Sequence, residues 1–172
     1  MTIVDVELRP LLIMEEMLYR NPQRMRSTSI VDVDVGGDVK ISEKMVEDVR
    51  REIIDKAINN IPRFMDIADS LGLDRDDING LAGLAGELTY NKFTSYSSSL
   101  RFHGLYDAKG CDVRRKKKYN HKVQRYLIML THAILWKNGD KRLPKFKDMR
   151  RVLKMLIEAR KQMGLVGREA GV

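Results

Sequence analysis

The chain has 172 residues, of which 43% are hydrophobic and 33% charged, with a net charge of +8 and a single cysteine. That length can enclose a proper core, and Cys111 has no second cysteine for an internal disulfide. The longest apolar run, YLIMLTHAILW, has eleven residues and is too short to cross a bilayer, and the opening MTIVDVELRP lacks the basic start and cleavage site of a signal peptide. A soluble, cytoplasmic protein without membrane contact is expected, in a host cytoplasm or a virion if the source is viral.

DVELRPLLIMEEMLY (5–19) predicts a short helix starting near Pro10, with Leu11, Leu12, Met14 and Met17 on its apolar side. NPQRMRSTS (21–29) reads as a break. SIVDVDVGGDVKIS then alternates with period two, as a strand does. A three-residue loop at Gly36, Gly37 and Asp38 pairs Val35 with Val39, Val33 with Ile41 and Asp34 with Lys40, keeping each face pure, so the stretch predicts a β-hairpin.

Ser42 is placed to cap a helix that carries Met45, Val49, Ile53, Ile54, Ala57, Ile58 and Ile61 at helical spacing and ends at Pro62. RFMDIADSL (63–71) and DRDDINGLAGLAGELTYNKF (74–93) follow as two more helices around Gly72. KFTSYSSSLRFHGLYDAKGC (92–111), rich in Ser and Gly, reads as a loop. A long helix is predicted over 113–137, and a last one after Pro144, with Gly164 just past its end. The predicted fold class is mainly α: one compact helical domain of about five to six helices with a small β-hairpin near residues 30–42.

The glycine-centred acidic stretch DVDVGGDVKISE also matches part of an EF-hand calcium loop, with Asp32, Asp34 and Asp38 at positions one, three and seven and Glu43 at twelve. Val35 and Lys40 stand where polar or water-bridging ligands belong, so the hairpin reading is preferred and no metal or cofactor is expected. Asp32 and Asp34, two apart on one strand face, carry a different alternative: the Mg²⁺ ligands of a metal-dependent nuclease.

FMDIADSLGLDRDDINGLAG (64–83) resembles the helix-turn-helix of bacterial and phage repressors, with Ala68 in the first helix, Gly72 in the turn, and Ile78 and Leu81 packing the second helix back. The resemblance covers about twenty residues and implies a bent helix pair. The second helix departs from the family by opening with Asp74, Arg75, Asp76 and Asp77, acids that suit a helix N-terminus and repel phosphate.

Gly80, Gly83 and Gly86 recur every three residues and cost a helix roughly 2–3 kcal/mol against alanine, so they need a packing reason. With Ala82 and Ala85 they make a smooth surface for a protein contact, with another helix of the chain or with another subunit. His103, Cys111 and His121 lack zinc spacing, His132 reads as a core histidine, and no catalytic constellation appears.

Charge gives the strongest signal. Residues 1–90 hold 11 Lys and Arg against 18 Asp and Glu, a net −7, while residues 91–172 hold 21 against 6, a net +15. The predicted layout is an acidic half (1–91), a loop (92–112) and a basic helical pair (113–172). In the first helix of that pair, Tyr119, Val123, Tyr126 and Leu130 form the apolar stripe. Arg114, Lys118, His121 and Arg125 fall opposite, flanked by Arg115, Lys116, Lys117 and Lys122. In the second, Phe146, Met149, Val152, Leu153, Leu156 and Met163 face Lys147, Arg150, Arg151, Lys154 and Lys161 in the same way. Hiding the stripes forces the cations outward.

These faces predict a non-enzymatic protein that holds a DNA or RNA backbone, as a small helical subunit of a nucleoprotein assembly comparable to a CRISPR effector or a virus nucleoprotein. Other protein subunits, or copies of itself, are expected partners. Arg101 and Arg114, near Tyr96, Phe102, Tyr106 and Tyr119, are candidates for stacking on single strands. The other alternative is a regulator or inhibitor that docks its cations on an acidic protein surface.

Overall fold

A computed structural model describes the backbone of residues 3–28, 36–93, 95–105 and 121–165, and the side chains of 6–20, 42–93, 95–105 and 123–165. Seven α-helices lie within those residues, and none is long and apolar enough to cross a membrane. The chain divides into two compact units, residues 1–62 and 63–172.

The first unit is a helical hairpin of α1 (Ile3–Thr28) and α2 (Gly36–Asn60). Glu7 lies beside Lys56 and Glu15 beside Arg50, so the two helices run antiparallel. Leu8, Leu11 and Leu12 are buried with Val46, Ile53, Ile54, Ala57 and Ile61. Burying three leucines, at about 1.5–3 kcal/mol each, outweighs the roughly 3 kcal/mol that Pro10 costs inside a helix, so α1 runs through it. α1 also continues through Asn21 and Pro22, where the sequence predicts a break.

The predicted β-hairpin is not present. Its loop, Gly36 to Asp38, and its second strand, Val39 to Ile41, are instead the opening of α2, and residues 29–35 lie outside the described ones. The physical reason is periodicity over distance. Val39, Val46 and Ile53 fall seven apart, a helical repeat that continues into the α2 core, whereas a lone two-stranded hairpin is marginal in water. Ser42, expected at the helix cap, lies within the second turn.

The second unit holds α3 (Phe64–Ser70), α4 (Ile78–Tyr90), α5 (Tyr96–Phe102), α6 (His121–Lys137) and α7 (Phe146–Gln162). Its centre is α4, buried at every residue from Gly80 to Glu87. α6 lies antiparallel on the glycine face, bringing Gly80 to Ala133, Gly83 to the Leu130 backbone and Gly86 to the Tyr126 ring. α7 packs on α3, α5 and α6, and buries Met149, Val152, Leu153, Leu156 and Ile157. It ends as its glycine predicts, with Gly164 at φ 68°.

α5 falls inside the segment the sequence reads as loop. Ser95 nucleates it, its hydroxyl accepting from the backbone N–H of Ser98 at 3.2 Å.

Candidate nucleic-acid interface

α7 places its cations by excluding them from the core. At 100° per residue, Lys147, Arg151, Lys154 and Lys161 fall on one side, opposite Val152, Leu153 and Leu156, and all four are exposed. They span about 21 Å of helix. Glu158 shares this side and lies 3.9 Å from Lys154, both side chains being more than half exposed, a geometry of small energetic weight.

The other candidates divide. Arg150 turns inward: its Nε donates to the Leu105 carbonyl at 2.8 Å, while its own carbonyl accepts from the Tyr96 hydroxyl at 3.3 Å. Arg101 is exposed in the last turn of α5. Arg125 is half-buried, its guanidinium 5.6 Å from the centre of the Tyr126 ring. The side chains of His121 and Lys122 lie outside the described residues, as do Arg114, Arg115, Lys116, Lys117 and Lys118 entirely. So do Tyr106 and Tyr119, and Asp32 and Asp34 of the nuclease alternative. Tyr96 and Phe102 are half-buried, and Phe102 packs edge-on against Phe93 at 5.1 Å.

Gly80, Gly83 and Gly86 are buried against α6 of the same chain. A Cβ on Gly83 would stand 2.8 Å from the Leu130 nitrogen and 2.9 Å from the Tyr126 carbonyl oxygen. The bend between α3 and α4 exists, but the burial of α4 leaves it no face to lay in a DNA groove.

Behind the basic face lies a polar cluster that the sequence analysis missed. Glu87 and His103 are both fully buried, with His103 Nε2 3.0 Å from Glu87 Oε1 and Nδ1 2.7 Å from the Ser99 carbonyl. Asn91 and Ser99, also buried, extend the network, the Ser99 hydroxyl donating to Asn91 Oδ1 at 3.3 Å. Arg160 donates to the carbonyls of Asn91 and Phe93 at 3.2 and 3.3 Å. Burial pushes the His103 imidazole toward neutrality, but the Glu87 carboxylate and the Ser99 carbonyl outweigh it and raise the pKa. Burial also lowers the Arg160 pKa, against the attraction of Glu87. One signal was available: Glu87 is the only charged residue in INGLAGLAGELTY, and a lone carboxylate in so apolar a helix demands a partner.

His132, expected in the core, instead lines a cleft of about 480 Å³ with Trp136, Lys137, Asp76, Asp77 and Asn79. Lys137 is engaged by Asp74 at 2.5 Å and Asp77 at 3.3 Å, which raise its pKa, Asp74 foremost. Its carboxylates make this cleft unsuited to phosphate. Among the described residues, no group of three or more His, Cys, Asp or Glu is arranged to hold a metal ion.

No protein-family model, curated protein or solved structure matches the chain.

Proposed function

We propose that the protein is a non-enzymatic nucleic-acid-binding subunit that holds a DNA or RNA backbone on its basic C-terminal helices, within a larger nucleoprotein assembly. The observation that carries this reading is the outward row Lys147, Arg151, Lys154 and Lys161 on α7. A helix face meant only for solvent ordinarily mixes signs, and this one has Glu158 alone against four cations. The α7 backbone is fixed from behind by Arg150, Arg160 and the buried stripe, so the row is presented on a rigid support. Exposed Arg101, at the end of α5, adds a cation from the helix that α7 contacts. Cations in a row, with no exposed groove-reading helix among the described residues, suit phosphate contacts rather than base readout.

The test is fluorescence anisotropy with labelled single- and double-stranded DNA and RNA over a range of salt. Changing Lys147, Arg151, Lys154 and Lys161 to Glu should weaken binding across all sequences and flatten the log–log salt slope by about three. Unchanged affinity and slope, with the helical signal intact, would remove α7 as the site. Capture of an acidic protein that survives nuclease treatment would favour the regulator instead.

A further inference from the structure

The cleft between the start of α4 and the last turns of α6 holds groups that the chain itself leaves unused. Trp136 is 52% exposed there, with the His132 ring 5.5 Å away and tilted by 57°. Neither ring nitrogen of His132 has a hydrogen-bond partner among the described residues, and the Asp76 carboxylate has none either. Lys137, by contrast, is engaged by Asp74 and Asp77. At about 480 Å³ the space is far larger than an ion needs and falls within the roughly 300–1,000 Å³ of small-molecule sites.

These groups select a ligand by exclusion. A bare phosphate is repelled by Asp76 and Asp77. An ammonium or guanidinium finds Lys137 already on two carboxylates and the Lys141 ammonium already over the indole, 5.4 Å from its centre. A neutral flat ring can share the half-exposed indole with Lys141, and its N–H donors satisfy Asp76, which as a carboxylate only accepts. Among nucleobases, guanine alone sets two adjacent N–H donors beside a carbonyl: an edge for Asp76 and an acceptor for a His132 N–H. Adenine and cytosine place a ring acceptor next to their amino group, and thymine and uracil flank their N–H with carbonyls. Each of those acceptors would face the carboxylate.

The cleft is also tied to the row on α7. Lys141 is exposed and meets no acid among the described residues. It lies six residues before Lys147, so at most about 20 Å of chain separates them. The intervening loop is pinned by Arg142, which reaches Asp140 at 2.9 Å and Asp148 at 3.0 Å.

We propose, resting on the backbone reading above, that the cleft takes one unpaired guanine of a single strand whose phosphates lie on α7. Trp136 stacks on the base, Asp76 accepts its two N–H groups, His132 donates to its carbonyl and Lys141 meets its phosphate. In a duplex that edge is taken by cytosine, so the strand must be single.

The experiment uses the full chain freed of nucleic acid and single strands of one length. One is all thymidine, one has a central guanine, and one has hypoxanthine in that place, which lacks only the amino group. The guanine strand should bind about tenfold more tightly than the hypoxanthine strand, by anisotropy, and should quench the emission of Trp136, the one indole in the chain. This comparison alters the ligand alone and needs no variant to fold. Annealing the complement should erase the ratio. Asp76→Ala, at an exposed position between α3 and α4, should bring it to about one, and Trp136→Leu should weaken the guanine strand about tenfold, both with the helical signal intact. Equal affinity for guanine and hypoxanthine, with Trp136 emission unmoved, would overturn the cleft and leave α7 its backbone role. If no strand binds, the backbone reading has failed, and free nucleotides decide the cleft by itself. Quenching by guanosine monophosphate at about tenfold lower concentration than by inosine monophosphate would support guanine recognition. No quenching, or quenching by an oligo-arginine peptide instead, would refute it.

Discussion

Gly83 shows how much a single hydrogen atom can decide. Helix propensity alone would favour alanine there by about 1 kcal/mol. The added Cβ would press on the Leu130 nitrogen and the Tyr126 carbonyl, backbone atoms of a helix that cannot rotate out of the way. Overpacking of this kind costs about 1–3 kcal/mol, and more where backbone must move, so Gly83→Ala should lower the midpoint of urea unfolding. Glu87 and His103 act at the same scale. The pKa of His103 is raised above its ordinary 6.5, so its stabilising effect is complete below that value and is lost as pH rises through the folded-state pKa. Glu87→Gln, which breaks a buried pair, should cost about 3–5 kcal/mol in acid. Urea unfolding at about pH 6 and about pH 9 should show a smaller difference between wild type and variant in alkali. Of this cluster the sequence announced only the lonely Glu87. Its partner sits in a segment whose serines read as loop, and the contact spans 16 residues, beyond any periodic pattern.

Among the elements, α7 was the most legible. Its apolar spacing, the proline before it and the glycine after it mark the same helix that the structure contains. Its N-terminus is secured by Asp148, whose carboxylate accepts from the Lys145 backbone N–H at 2.9 Å and from Arg142 Nη2 at 3.0 Å. Arg142 is the main reason that the Asp148 pKa lies far below the ordinary carboxylate range. The contribution of this pair is therefore complete above pH 3.8, the usual Asp value, and fades only as acid reaches the depressed pKa. Asp148→Ala should fray the first turn, seen as faster amide exchange at residues 146–149 with the α7 core still protected. α2 was half legible. Its later turns follow from apolar spacing, but an alternating run of valines and aspartates with two glycines imitates a hairpin when read through a short window. The seven-residue repeat from Val39 onward becomes visible only over three or more turns.

For the whole molecule, the split of charge along the chain and the split into folding units do not coincide. Charge changes sign near residue 90, whereas the compact units meet after Pro62. Residues 63–90 therefore bring acidic sequence into the basic unit: Asp74 and Asp77, between α3 and α4, hold Lys137 there, and Asp66 holds Arg63 at 2.8 Å. Composition registers sums along the chain and is blind to such neutralisation in space. This is why the positive half of the sequence does not translate into a uniformly positive surface: Lys137 is neutralised, whereas the α7 row stays exposed.

Trp136, the only tryptophan, stands at the end of α6, beside His132 at 5.5 Å between ring centres and under the ammonium of Lys141 at 5.4 Å. The first unit contains no indole. Emission excited at the red edge of protein absorption therefore follows the melting of residues 63–172 alone, while ellipticity follows both units. The chain comes with a native optical label on one of its two halves, and a gap between those two curves would measure how independently they fold.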